Sequence, residues 1–167
     1  HYLGVLADKT GSLIAASAHY GALFSGAPQP AVDAAVEYAE KVGVAFQLAD
    51  DVIDLVSDAD TTGKTPGTDL REGVATMPVL LLRDQAEAGE IDEAGAQILD
   101  ALDGDLSSDA ALADVLADLT AHPVLEETRN MARQCATDAM AELAILPESP
   151  ARRALEQFAH LLVDRLA

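Results

Sequence analysis

The chain is poor in several residue types that mark common protein classes. It has one cysteine and no tryptophan, and aromatic residues make up 4% of its 167 positions. A single cysteine leaves no disulfide framework within the chain, so a small secreted fold held by disulfides is excluded. No apolar run approaches the ~20 residues that a membrane-spanning helix needs. The sequence therefore predicts a cytoplasmic protein.

Basic residues are also scarce. The chain has 10 Lys and Arg against 29 Asp and Glu, which gives a formal net charge of −19. Nucleic acids and anionic membranes are bound through clustered Lys and Arg, so we expect neither as a partner. Lysine occurs only as Lys9, Lys41 and Lys64. Two of these three lysines, Lys9 and Lys64, lie in segments whose composition suits phosphate binding.

Alanine and leucine are abundant, half of the residues are apolar, and no run alternates as a strand would. This pattern predicts one all-α domain over residues 1–167. The first helical stretch should end at Gly26, because Pro28 and Pro30 follow it. Further helices are predicted over 31–57, from 77 or 78 onward with Thr76 as the cap, and over 91–102, 108–120, 124–145 and 151–166.

The stretch GVAFQLADDVIDL places three aspartates in an otherwise apolar helix. At 100° per residue Gln47, Asp50 and Asp54 lie close to one line, with Asp51 on its flank. Like charges at i and i+4 destabilise a helix, and no Lys or Arg lies within one turn to offset them. A bound cation would offset this repulsion, and short carboxylates are suitable ligands for Mg²⁺. Spacing alone leaves two interpretations open, a metal site and a solvated polar face.

Two further segments indicate phosphate binding. The loop TGKTPGTDLREG combines glycines with Lys64 and a further acid, Asp69, and glycine-rich backbone with lysine commonly holds phosphate oxygens. The Walker spacing is absent, and an ordinary connection is the alternative interpretation. Lys9 and Thr10 interrupt an apolar helical run, where a lysine can also simply extend to solvent. Together these segments predict a diphosphate bridged to the aspartates by Mg²⁺.

These motifs resemble those of one known family. FQLADDVID resembles the second aspartate-rich motif of the trans-polyprenyl diphosphate synthases, in the isoprenoid synthase family. ADKTGSL is similar to their Lys-Thr segment, and GKTPGTDLREGVATMPVLLL to the segment after the aspartate-rich motif. The likeness covers roughly positions 1–85 and is to the C-terminal half of the family only.

The resemblance implies a fold and a reaction. The fold is the C-terminal part of an antiparallel helical bundle around a central cavity. The reaction condenses isopentenyl diphosphate with an allylic prenyl diphosphate, releases pyrophosphate and requires Mg²⁺. In the family, two aspartate-rich motifs on facing helices hold the metal ions at the mouth of the cavity.

The resemblance also implies residue roles by position. Asp50 would be the principal Mg²⁺ ligand, while Asp51 and Asp54 would act through bound water or orient the site. Asp69 would support these ligands. The catalytic residues that contact the diphosphate would be Lys9, Thr10, Gln47 and Lys64.

Two departures from the family pattern stand out. Val74 replaces a lysine found in many relatives, and nothing in the chain resembles the first aspartate-rich motif. We therefore expect the chain to be part of a longer prenyltransferase, a homodimer in its full-length form, whose N-terminal half is absent here. The alternatives are a terpene cyclase-like enzyme and a non-catalytic helical partner subunit that retains the second motif.

Overall fold

The computed structural model describes residues 1–56 and 66–165, and all regular secondary structure in these ranges is helical. The all-α prediction is therefore confirmed. The elements are α1 Tyr2–Leu6, a π-helical turn Ala7–Gly11, α2 Ser12–Phe24, α3 Gln29–Val56, α4 Thr68–Arg71, α5 Met77–Ala88, α6 Glu93–Leu102, α7 Asp109–Ala121, α8 Pro123–Glu142, a 3₁₀ turn Leu143–Ile145 and α9 Pro150–Asp164.

Most helix ends follow from local sequence. The side chains of Asp92, Ser108 and Ser149 accept hydrogen bonds from backbone N–H groups in the first turns of α6, α7 and α9. Such caps satisfy donors that have no partner inside the helix. Gly89 ends α5 in the left-handed conformation, at φ 73°. The predicted boundaries consequently lie close to the observed ones.

Three local features differ from expectation. The first helical stretch is interrupted by the π-helical turn, and the segment predicted to lack helix contains the short α4. Thr76 precedes α5 as predicted, but its hydroxyl does not cap the helix. This hydroxyl is buried and has no hydrogen-bond partner within the described residues. The cap prediction was therefore right in position and wrong in chemistry.

Backbone packing divides the chain into two compact units. The first comprises His1–Ala49 and Asn130–Ala167. Its buried side chains are mostly alanines, which allow helices to approach closely; they include Ala34, Ala39, Ala45, Ala49, Ala132, Ala136, Ala139 and Ala159. The Tyr38 hydroxyl donates to the Leu155 carbonyl at 2.7 Å and so joins α3 to α9.

The second unit comprises Asp50–Arg129. Larger aliphatic side chains fill its core, including Val52, Leu55, Leu70, Leu82, Ile98, Leu112, Val115, Leu119 and Leu125. That residues 1–167 form a single domain stays a prediction. Among the described helices, none has both the length and the apolar character of a membrane span. The cytoplasmic location also stays a prediction.

Candidate functional site

Lys9 and Thr10 lie in the π-helical turn. The Ser12 N–H bonds to the Ala7 carbonyl, five residues back, and the Ser12 hydroxyl donates to the Asp8 carbonyl at 2.6 Å. Single π turns inside helices are rare and often occur at functional sites. Lys9 is exposed and Thr10 is half-buried. The turn thus presents a solvated ammonium group, with no ion-pair partner within the described residues.

The four polar residues predicted to share one helix do so. Gln47, Asp50, Asp51 and Asp54 all lie on α3. Asp51 is buried, with 6% of its surface exposed, whereas the other three are half-buried. The aspartates therefore do not form a uniformly solvated stripe, and their hydrogen bonds distinguish them further.

Asp51 is bonded to the start of α5. Its Oδ2 accepts a hydrogen bond from the Met77 N–H at 3.0 Å. A carboxylate at a helix N-terminus is stabilised by the exposed N–H groups and the helix dipole. Asp51 thus supplies the cap that the sequence had assigned to Thr76. Whether Asp51 also acts at a metal site, through bound water or by orienting it, stays a prediction.

Asp54 is bonded to the chain that follows the loop. Its carbonyl accepts from the Gly67 N–H at 2.8 Å, and its Oδ2 accepts from the Asp69 N–H at 3.4 Å. Gly67 has a φ of 72°, in the left-handed region that glycine adopts without strain. Asp69 thus contacts Asp54 through its backbone. Lys64 lies between Asp54 and Gly67 in sequence but outside the described residues.

Asp50 differs from both neighbours. Within the described residues its carboxylate forms no hydrogen bond or ion pair. In the same part of the chain, no group of three or more His, Cys, Asp or Glu side chains is placed to hold a metal ion. A cation bound at Asp50 would therefore complete its coordination mainly with water or with oxygens of a ligand.

Lys41 and Cys135, which belong to none of the motifs, have structural roles. Lys41 pairs with Glu142 and with Glu37. The pKa of the Cys135 thiol is raised by burial and, second, by the charge of Asp138. A thiol that keeps its proton is a poor nucleophile, which agrees with a packing role for Cys135.

His122 likewise has a structural role. Its Nδ1 accepts from the Val124 N–H and its Nε2 lies 3.1 Å from Asp92 Oδ1, so both ring nitrogens are engaged. The side chain therefore links the starts of α6 and α8.

Sequence reasoning missed one contact next to Gln47. The Arg165 guanidinium lies over the Phe46 ring, 5.0 Å from its centroid, and its Nε donates to the Leu162 carbonyl. Cation–π contacts of this kind hold side chains with modest energy. No periodic pattern relates two residues so far apart in the chain, so no sequence signal pointed to the pair.

Comparison with known proteins adds a family context. The family model for polyprenyl synthetases matches residues 1–119. Nonaprenyl diphosphate synthase of Mycobacterium tuberculosis is 41% identical over 165 residues, covering 98% of this chain and 48% of that protein. Octaprenyl diphosphate synthase of Escherichia coli is 33% identical, covering 99% of this chain and 50% of that protein. The chain spans about half the length of these curated relatives.

Solved structures of related synthases have a fold similar to that of this chain. Geranylgeranyl pyrophosphate synthase from Corynebacterium glutamicum, complexed with calcium and isoprenyl diphosphate, aligns with a TM-score of 0.88 at 37% identity. That alignment covers 100% of this chain and 50% of the other. Polyprenyl synthase from Caulobacter crescentus aligns with a TM-score of 0.86 at 32% identity, over 99% of this chain and 49% of the other. These similarities confirm the fold class that the resemblance implied.

Proposed function

Because this chain belongs to the polyprenyl synthetase family, we propose that the protein containing it is a chain-elongating prenyltransferase. The allylic carbon–oxygen bond breaks, and its electron pair leaves with pyrophosphate. The double bond of isopentenyl diphosphate then attacks the allylic carbon, and loss of a proton gives a chain one isoprene unit longer. The names of the relatives, nonaprenyl and octaprenyl diphosphate synthase, support elongation over cyclisation.

The observation that carries the proposal is the environment of Asp50. Its carboxylate is partly exposed and not bonded within the described residues, whereas Asp51 and Asp54 each accept a backbone N–H. Few protein ligands and one available carboxylate fit Mg²⁺, which keeps several waters and shares its shell with phosphates. The Corynebacterium relative was solved with calcium, another hard cation, together with isoprenyl diphosphate. When bound, Mg²⁺ stabilises the negative charge that develops on the departing diphosphate.

The other residues have supporting roles in this proposal. Asp51 and Asp54 hold α5 and the chain after the loop against α3, which keeps Asp50 in place. Asp69 contributes through its backbone bond to Asp54. The hydrogen bonds described above support these roles. Motif positions support a second set of roles, the binding of diphosphate oxygens, for Lys9, Thr10, Gln47 and Lys64. The homodimer stays a prediction.

A turnover assay of the complete gene product tests the proposal. Radiolabelled isopentenyl diphosphate and an allylic diphosphate should give a longer prenyl diphosphate with Mg²⁺ and none with EDTA. Asp50→Asn preserves side-chain size and removes the charge, so activity should fall about a hundredfold. Asp33→Asn is the matched control, because Asp33 lies on α3 and bonds to the Gln29 side chain.

Three other outcomes of these assays would contradict the metal assignment or favour an alternative function. Activity of Asp50→Asn equal to that of the wild type would contradict the metal assignment. A cyclised hydrocarbon product would identify a terpene cyclase instead. If the complete, folded protein has no turnover, the non-catalytic partner subunit becomes the better hypothesis.

A further inference from the structure

The π-helical turn and α3 approach each other closely at two glycines. A Cβ placed on Gly43 would lie 2.5 Å from the Gly11 Cα and 2.9 Å from its backbone nitrogen. Non-bonded carbons are most stable at about 3.5–4.0 Å, so no larger residue fits at Gly43 without movement. A Cβ on Gly11 would lie 3.2 Å from the Glu40 carbonyl oxygen, a tight but smaller conflict.

Backbone conformation does not explain Gly43. Positive φ angles occur among the described residues at Gly26, Gly67, Gly73 and Gly89, and Gly43 lies inside the continuous helix α3. Glycine is unfavourable in a helix interior because it loses more conformational freedom on folding than other residues. Close approach to the π turn is therefore the feature that requires glycine at this position.

The atoms in contact belong to the turn that carries Lys9. Gly11 is its last residue and is buried, and the Thr10 carbonyl carbon lies 3.4 Å from the same hypothetical Cβ. These are backbone atoms, so no side-chain rotation relieves a clash with them. Any residue larger than glycine at Gly43 must increase the separation of α3 and the turn by roughly 1 Å to restore ordinary contact. The displacement would change where Lys9 and Thr10 stand relative to α3.

We infer that Gly43 is a positioning residue for diphosphate binding. It sets the separation between α3 and the π turn, and thereby the position of Lys9 and Thr10 relative to Gln47, one turn further along α3. The inference rests on the proposed function, which assigns diphosphate contacts to these three residues. Gly43 has no side chain and acts only by allowing the approach.

Calorimetric titration of the complete gene product with inorganic pyrophosphate and Mg²⁺ tests this role. Gly43→Ala should raise the dissociation constant at least about tenfold, because misplaced donors lose charge-assisted hydrogen bonds. Gly21→Ala is the matched control, since Gly21 lies in α2 and a Cβ there meets nothing within 4 Å. It should bind within about twofold of wild type. Gly11→Ala should fall between the two.

A double-mutant cycle separates positioning from a general loss of stability. Because Gly43 acts through both Lys9 and Thr10, Gly43→Ala should change affinity by a clearly smaller factor when Lys9 is already alanine than it does in the wild type. Wild-type affinity in folded Gly43→Ala, or an equal loss in both backgrounds, would overturn the inference. If Gly43→Ala does not fold, Gly11→Ala decides the question by the same criteria. Normal binding by Lys9→Ala alone would instead contradict the proposed function.

Discussion

At the scale of single residues, the three carboxylates of one motif have different partners. Asp51 accepts the Met77 N–H at the start of α5, and Asp54 accepts backbone N–H groups from the chain after the loop. The Asp50 carboxylate has no such bond within the described residues. One carboxylate is thus available for a ligand, while its neighbours stabilise the surrounding backbone.

These different partners predict unequal effects of the two substitutions on the free energy of unfolding. Asp51→Ala leaves the Met77 N–H without its partner in a buried position, which should lower the free energy of unfolding by about 1–3 kcal/mol. Asp50→Ala should change it by no more than about 0.5 kcal/mol, or raise it slightly by relieving repulsion. Urea unfolding in EDTA measures both without bound metal. Equal losses in the two variants would contradict the assignment.

At the scale of elements, Tyr38 joins α3 to α9 through its bond to the Leu155 carbonyl. Burial raises the pKa of this phenol from 10.0 to about 12. The folded state therefore keeps a proton that the unfolded chain loses near pH 10. This contribution to stability is complete below pH 10 and decreases as the pH rises towards 12.

Tyr38→Phe tests both the hydrogen bond and its pH dependence. At pH 7 the variant should lose about 0.5–1.5 kcal/mol of unfolding free energy, because the Leu155 carbonyl loses its donor. The difference from wild type should narrow above pH 10. Tyr20→Phe is the control, since Tyr20 is exposed on α2. A constant difference between pH 7 and pH 11 would contradict the link to Tyr38 ionisation.

At the scale of the whole molecule, exposed apolar side chains and the net charge have opposite effects on self-association. Apolar side chains on α2 are exposed, with Leu13 at 69% and Phe24 at 83%, and Tyr20 stacks on Phe24. Exposed apolar surface promotes association. The net charge of −19 opposes it by repulsion, which salt screens.

We therefore expect the isolated 167-residue chain to self-associate increasingly with salt. Analytical ultracentrifugation at low and high ionic strength should show larger species at high salt. Replacing Leu13 and Phe24 with serine should suppress them, whereas Ile145→Ser, at an exposed residue of the 3₁₀ turn, should not. A monodisperse monomer at both ionic strengths would show that these residues do not drive association.

Much of the fold and part of the candidate site could be predicted from local sequence. Helical periodicity and the flanking glycines and prolines identified elements close to their observed bounds, and the structure adds side-chain caps at Ser108 and Ser149. The same periodicity placed Gln47, Asp50 and Asp54 on one helix. These features were accessible because helix formation and capping depend on residues within a few positions of one another.

By itself, the sequence determined the all-α class, the family likeness and the acidic motif on α3. Only the tertiary structure decided which carboxylate remains available, that Asp51 rather than Thr76 caps α5, and that Gly43 meets Gly11. Each of these depends on segments distant in sequence that meet only when the helices pack. Local propensity and residue spacing do not predict such long-range contacts, because the partner of a buried N–H depends on how the whole backbone folds.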